Sequence, residues 1–108
     1  MKATTRDVND IAIIKVDGKI TIGAGDQQLR DVIAGASSNK ILLDLSGVTT
    51  IDSSGIGELV GSYTTVTNKG GKLKLLHLPA KLNELLHVTQ RITVFEVYEN
   101  EQEAIASF

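Results

Sequence analysis

The sequence predicts an α/β fold built around a mixed or largely parallel sheet. Apolar, β-branched segments alternate along the chain with segments whose apolar residues recur at helical spacing, and the connections between them are short. Such alternation implies right-handed crossovers between neighbouring strands. With 108 residues the chain has the length for one hydrophobic core, so we expect a single domain over residues 1–108.

The first half of the chain supplies the first strands and a helix. Residues 11–16 are β-branched and apolar and predict a strand, Asp17-Gly18 predicts a turn, and residues 19–22 extend the sheet briefly. Asp26 is the predicted N-cap of the first helix. Its apolar residues at helical spacing are Leu29, Val32, Ile33 and Ala36. The apolar run Ile41–Leu45 then predicts a buried strand.

The second half continues the same alternation. The predicted elements are a helix over about 54–68, a strand over 72–76, a helix with Pro79 in its first turn, a strand over 92–98 and a helix over 101–108. Gly70-Gly71 supplies a stop after the first of these helices, and Asn100 caps the last.

Composition narrows the possible functions. The net charge of −2 gives no electrostatic footprint for nucleic acid or an anionic membrane. No apolar run approaches a membrane span, the N-terminus has no signal-peptide core, and there is no cysteine, so we expect a cytoplasmic protein. His77 and His87 lack metal-ligand spacing, and we therefore expect neither a metal nor a cofactor.

The segment Asp52-Ser53-Ser54 follows the buried strand and opens the helix after it, where backbone N–H groups are unpaired. One interpretation is a helix cap, worth about 1 kcal/mol for a single residue. The alternative is a phosphorylation site, because a phosphate gains from the helix dipole and the free N–H groups. The residues alone favour capping, although three successive polar residues exceed what a cap needs.

The helix after Ser54 carries three glycines, Gly55, Gly57 and Gly61, each costing about 1 kcal/mol relative to alanine. They indicate either close approach of the helix to the sheet or an exposed backbone for a partner. Their spacing matches no phosphate-binding loop. A hydrolase using Ser53 or Ser54 with a histidine is a further alternative, disfavoured by the absence of a GxSxG elbow.

The stretch Ile41–Gly61 closely resembles the STAS domains of bacterial anti-sigma factor antagonists, in which Asp-Ser-[Ser/Thr/Ala]-Gly-[Leu/Ile]-Gly opens a helix after an apolar strand. The segments 68–75, 82–88 and 93–97 extend the resemblance over nearly the whole chain. It implies a STAS-type domain with a mixed sheet of four or five strands and about four helices largely on one face.

The resemblance also implies a function. Such antagonists are not enzymes. They bind an anti-sigma factor that is also a serine kinase and so free a sigma factor, until the kinase phosphorylates the serine after the aspartate, here Ser53; a serine phosphatase reverses this. Ser54 would then only help to begin the helix. Residues expected to bind the partner are Asp52, Ser53, Ser54, Gly55, Ile56, Gly57 and Thr21.

One position departs from the family pattern. Gly18-Lys19-Ile20-Thr21 carries threonine where many members have aspartate, which puts the usual partner contacts of this loop in doubt. We expect a monomer with no direct contact to nucleic acid or membrane. The alternative function is a non-switching STAS scaffold or interaction subunit in a stress-signalling or lipid-transport complex.

Overall fold

The structure, a computed structural model, describes residues 1–108 and contains one five-stranded sheet in the order β1-β2-β3-β4-β5. The strands are β1 (Lys2–Val8), β2 (Ile11–Ile20), β3 (Lys40–Ile51), β4 (Lys72–Leu76) and β5 (Val97–Tyr98). β1 runs antiparallel to β2 and the other neighbours are parallel. The predicted mixed sheet is confirmed.

Four α-helices cover the two faces of the sheet unequally. They are α1 (Asp26–Ala34), α2 (Ser53–Asn68), α3 (Ala80–Val88) and α4 (Glu101–Ala106). α1, α2 and α3 pack on one face through the larger apolar cluster, which includes Leu29, Leu59 and Leu82. α4 packs on the other face, where Ala104 contacts the smaller cluster. The prediction of helices largely on one face is confirmed, with α4 as the exception.

α4 is fastened to the sheet by a buried lysine. The Lys74 side chain, only 4% exposed, places its Nζ 2.8 Å from the carbonyl oxygen and 2.9 Å from the hydroxyl of Ser107. The same Nζ lies 4.8 Å from the centre of the Phe108 ring and 3.4 Å from a Glu96 carboxylate oxygen. Because a buried charge must be paired, these contacts account for a lysine inside the fold.

The N-terminal strand β1 was not predicted. Its sequence, KATTRDV, has no run of apolar residues because β1 is an edge strand whose side chains are mostly exposed. A tight turn at Asn9 and Asp10, both at positive φ, joins it to β2.

Two predicted boundaries were wrong. Asp17-Gly18 is not a turn: β2 continues to Ile20, and register shifts on either side of these residues absorb the irregularity. Residues 92–98 do not form one strand, because a 3₁₀ turn at Ile92–Val94 leaves only Val97–Tyr98 paired with β4. That bend directs Phe95 into the core, where its ring meets Tyr63 edge-on at 5.5 Å.

No helix of the structure is long and apolar enough to cross a lipid bilayer.

Candidate functional site

Asp52 organises the junction at which β3 ends and α2 begins. It is the N-cap of α2, and its Oδ1 accepts the N–H of Gly55 at 3.0 Å. Its Oδ2 accepts the N–H of Ile22, also at 3.0 Å, so one carboxylate joins the loop after β2 to the start of α2. These hydrogen bonds hold the pKa of Asp52 below its usual value, and the bond from Ile22 has the larger effect.

The two serines behind Asp52 have different surroundings. Ser53, the first residue of α2, is exposed and its hydroxyl makes no hydrogen bond within the chain. Ser54 is half-buried and its Oγ donates to Asp26 Oδ2 at 2.9 Å. That bond is the main reason why the pKa of Asp26 is lowered. Of the two hydroxyls, that of Ser53 is therefore exposed and unengaged.

The capping interpretation of this segment is confirmed for Asp52, the N-cap of α2. Ser54, expected to help begin the helix, lies in its first turn and ties the start of α2 to the start of α1. One local prediction is wrong. Asp26 does not cap α1: the helix begins at Asp26, and Gly25, in a left-handed conformation, is the N-cap. The Asp26 carboxylate is thereby available to Ser54.

The glycines of α2 divide between the two interpretations given to them. A Cβ at Gly55 would overlap the carbonyl oxygen of Ile20, so Gly55 permits close approach of α2 to the sheet, beside the buried Ile56. A Cβ at Gly57 or Gly61 would meet nothing within 4 Å. Packing inside the chain therefore does not explain Gly57 and Gly61, whose backbone is exposed. That a partner contacts this backbone stays a prediction.

Gly57 and Gly61 line a groove between α1 and α2 with a volume of about 570 Å³. Ile33, Ile41 and Val66 contribute apolar surface to it. An ion pair between Arg30 of α1 and Glu58 of α2 joins the two helices there. This contact also raises the pKa of Arg30.

A smaller cavity of about 200 Å³ adjoins Ser53 on the α3 side. Ile51, Ile56 and Leu85 provide its apolar lining, and Ser53, Thr89 and Arg91 are among its polar residues. Sequence reasoning did not single out Arg91. Nothing in its local pattern shows that the turn after α3 returns to the start of α2.

The two large apolar side chains that are most exposed lie in segments that border Ser53. Ile22, 77% exposed, lies in the loop that Asp52 fastens to α2. Val88, 73% exposed, ends α3 and precedes Thr89, which lines the smaller cavity.

Thr21 lies at the base of the loop that carries Ile22. Its N–H donates to the carbonyl of Ala24 at 2.8 Å and its own carbonyl accepts from the N–H of Ala24 at 2.9 Å, which closes a tight loop. The Thr21 hydroxyl also lies 3.3 Å from the Ala24 carbonyl oxygen. Its role in partner binding stays a prediction. Neither His77 nor His87 lines the two cavities described above.

The sequence model of the STAS domain family matches residues 2–104. The chain belongs to the STAS family. This STAS domain is 24% identical over 98 residues to an anti-sigma F factor antagonist of Paenibacillus polymyxa, a match covering 88% of the chain and 84% of that relative.

Solved structures share its fold. A candidate anti-sigma factor antagonist from Thermotoga maritima superimposes with a TM-score of 0.88 at 24% identity, covering 97% of this chain and 92% of that one. An anti-sigma factor antagonist from Mycobacterium paratuberculosis gives 0.81 at 21% identity, with 98% and 92% covered. The predicted STAS-type fold is therefore confirmed.

Proposed function

We propose that this STAS domain is an anti-sigma factor antagonist, without enzymatic activity, that binds an anti-sigma factor serine kinase while Ser53 is unmodified. Phosphorylation of Ser53 ends the binding and a serine phosphatase restores it. The observation that carries the proposal is the contrast between the two hydroxyls: Ser53 is exposed and free, whereas Ser54 is held by Asp26. Membership of the STAS family and the sequence similarity to an anti-sigma F factor antagonist support the same function.

The modification is a phosphoryl transfer from ATP bound by the kinase. Ser53 Oγ attacks the γ-phosphorus, an Oγ–P bond forms, and the bond from that phosphorus to the β–γ bridging oxygen breaks to give ADP. The serine proton passes to a base on the kinase or to solvent. Reversal is hydrolysis of the phosphoserine ester by the phosphatase, which yields serine and inorganic phosphate.

We call the surface formed by five residues the docking face: Ile22, Ser53, Gly57, Gly61 and Val88. Its composition is that of a partner surface. Ile22 and Val88 offer exposed apolar side chains in the two segments that border Ser53, and Gly57 and Gly61 leave the backbone of α2 open for close contact. A cluster of exposed apolar residues with a polar rim is typical of protein–protein interfaces. Two helix glycines without an internal packing role support the same interpretation.

The switch follows from charge at this surface. A phosphate on Ser53 adds close to two negative charges to the docking face, next in sequence to the Asp52 carboxylate. Desolvating a charged phosphate in an interface costs several kcal/mol, even where a cation pairs with it, whereas micromolar binding amounts to about 8 kcal/mol in total. The phosphorylated chain therefore releases its partner.

The test is to incubate the chain with its kinase and ATP and to locate the phosphate by mass spectrometry. The kinase is identified beforehand as an ATPase of the histidine-kinase type encoded beside this gene and retained by the unmodified chain. We expect phosphate on Ser53, none in Ser53→Ala, and normal labelling in the matched control Ser54→Ala. Phosphate on any other residue would contradict the assignment of Ser53 as the phosphorylated residue. A partner without kinase activity would favour the non-switching scaffold instead.

A further inference from the structure

The small cavity beside Ser53 brings an arginine from a distant part of the sequence to the start of α2. Arg91 and Ser53 line the same space of about 200 Å³, with Thr89 between α3 and Arg91. The cavity is of a size that a phosphate group fills in part, and its apolar side is formed by Ile51, Ile56 and Leu85. A phosphate attached to Ser53 Oγ would therefore lie beside a cavity that Arg91 also lines.

The backbone fixes the position of Arg91. α3 ends at Val88, and the left-handed conformation of Gln90 turns the chain. The N–H of Arg91 then donates to the carbonyl of Leu86 at 2.8 Å, which anchors the turn to the last part of α3. The guanidinium itself is exposed and takes part in none of the ion pairs or side-chain hydrogen bonds of the chain.

Neither the acidic residues beside Ser53 nor the cation of the larger groove offers a phosphate a free partner. Asp52 is negative and caps the same helix, and Asp26 is negative and bonded to Ser54. Arg30, the cation at the start of the larger groove, is already paired with Glu58. Arg91 is thus the unpaired cation among the residues that share a cavity with Ser53.

We infer that Arg91 is the phosphate-binding residue of the switch, and that its guanidinium pairs with the phosphate on Ser53. The inference rests on the proposed function in taking Ser53 as the modified residue. Guanidinium matches phosphate geometry and forms two parallel charge-assisted hydrogen bonds with it. The pair holds the phosphate over the small cavity, in front of α3, and so closes this part of the docking face to a partner.

The pairing is measured on the full chain with phosphoserine incorporated at position 53 during synthesis, which needs no kinase. Phosphorus NMR follows the second ionisation of the phosphate, which lies near pH 6 in the absence of a partner. A neighbouring guanidinium favours the dianion, so we expect Arg91→Gln to raise the phosphate pKa by about half a unit or more. Arg91→Lys keeps the charge and is expected to give an intermediate value.

The matched control is Lys69→Gln. It removes one positive charge after the far end of α2, which has 16 residues and so is about 24 Å long, beyond the screening length at 0.1 M salt. We expect its phosphate pKa to equal that of the unsubstituted chain. An Arg91→Gln value equal to the unsubstituted one would overturn the inference.

A second measurement does not depend on any substitution of Arg91. The Nε–H resonance of Arg91 is compared between chains with serine and with phosphoserine at position 53. We expect it to shift on phosphorylation, and an unchanged resonance would count against the pairing. The two proposals fail separately, because kinase labelling elsewhere than Ser53 leaves both NMR readings interpretable.

Discussion

Gly55 and Gly57 lie on the same helix, two residues apart, in opposite surroundings, and alanine should affect stability in opposite directions. At Gly57 a Cβ meets nothing within 4 Å, so Gly57→Ala gains about 1 kcal/mol from helix propensity. At Gly55 the same gain is offset by overlap with the Ile20 carbonyl and by a Cβ that would lie 2.7 Å from Ile51 Cγ1. Carbon atoms prefer separations of about 3.5–4.0 Å.

The obstacle at Gly55 is partly backbone, which cannot move away by changing rotamer. Overpacking costs about 1–3 kcal/mol, and the overlap with backbone places Gly55 at the upper end of that range, so after the gain of about 1 kcal/mol Gly55→Ala should lose about 2 kcal/mol net. For a domain of this size Tm should rise by about 4 °C in Gly57→Ala and fall by at least about as much in Gly55→Ala. Urea unfolding followed by circular dichroism measures the two free-energy changes, and thermal unfolding measures the two Tm values. Equal midpoints, or a more stable Gly55→Ala, would refute the packing described for α2.

Three further outcomes are expected. Because the pKa of Asp52 is lowered in the fold, its carboxylate stabilises the fold at pH values above its usual pKa of 3.8, and this stabilisation is lost as the pH falls through the folded-state pKa. Asp52→Asn should therefore flatten the fall in Tm between about pH 5 and pH 2. An unaltered profile of Tm against pH would contradict the hydrogen bonds to Asp52. Lys74→Ala removes both hydrogen bonds to Ser107, so it should lower the free energy of unfolding by about 2 kcal/mol and speed amide hydrogen exchange in α4. Unchanged exchange in α4 would show that Lys74 does not hold this helix to the sheet. Phe95→Ala should lose about 3 kcal/mol in urea unfolding by opening the core beside Tyr63, and a loss below about 1 kcal/mol would place Phe95 outside the core.

Local pattern was enough to predict the elements that are buried or strongly periodic. The helix α2 and the capped helix α4 form where apolar spacing and cap residues indicated. β3 contains the predicted strand Ile41–Leu45 but continues to Ile51, through the Ser46-Gly47 pair that was expected to end it. β1 was not predicted, because an edge strand with mostly polar, exposed side chains lacks the run of apolar residues that indicates a strand. Residues 92–98 carried a strand-like pattern, but filling the core with Phe95 required a bend that local propensity does not report.

The candidate site was predictable in its centre and not at its borders. Asp52, Ser53 and the glycines are contiguous in sequence, so the motif itself drew attention to them. The bond from Ser54 to Asp26 spans 28 residues, and Arg91 reaches the site only through the turn after α3. Both depend on how the loops at the end of the parallel strands converge, which no spacing within one segment encodes.

The most direct test of the proposed switch is the affinity of the anti-sigma factor kinase for three forms of the full chain: unsubstituted, Ser53→Ala and Ser53→Asp. Titration calorimetry without ATP keeps Ser53 unmodified during the measurement. We expect Ser53→Ala to bind like the unsubstituted chain and Ser53→Asp to bind at least about 100-fold more weakly, since desolvating the added carboxylate in the interface costs several kcal/mol. Equal affinities for Ser53→Ala and Ser53→Asp would contradict a switch based on charge at Ser53.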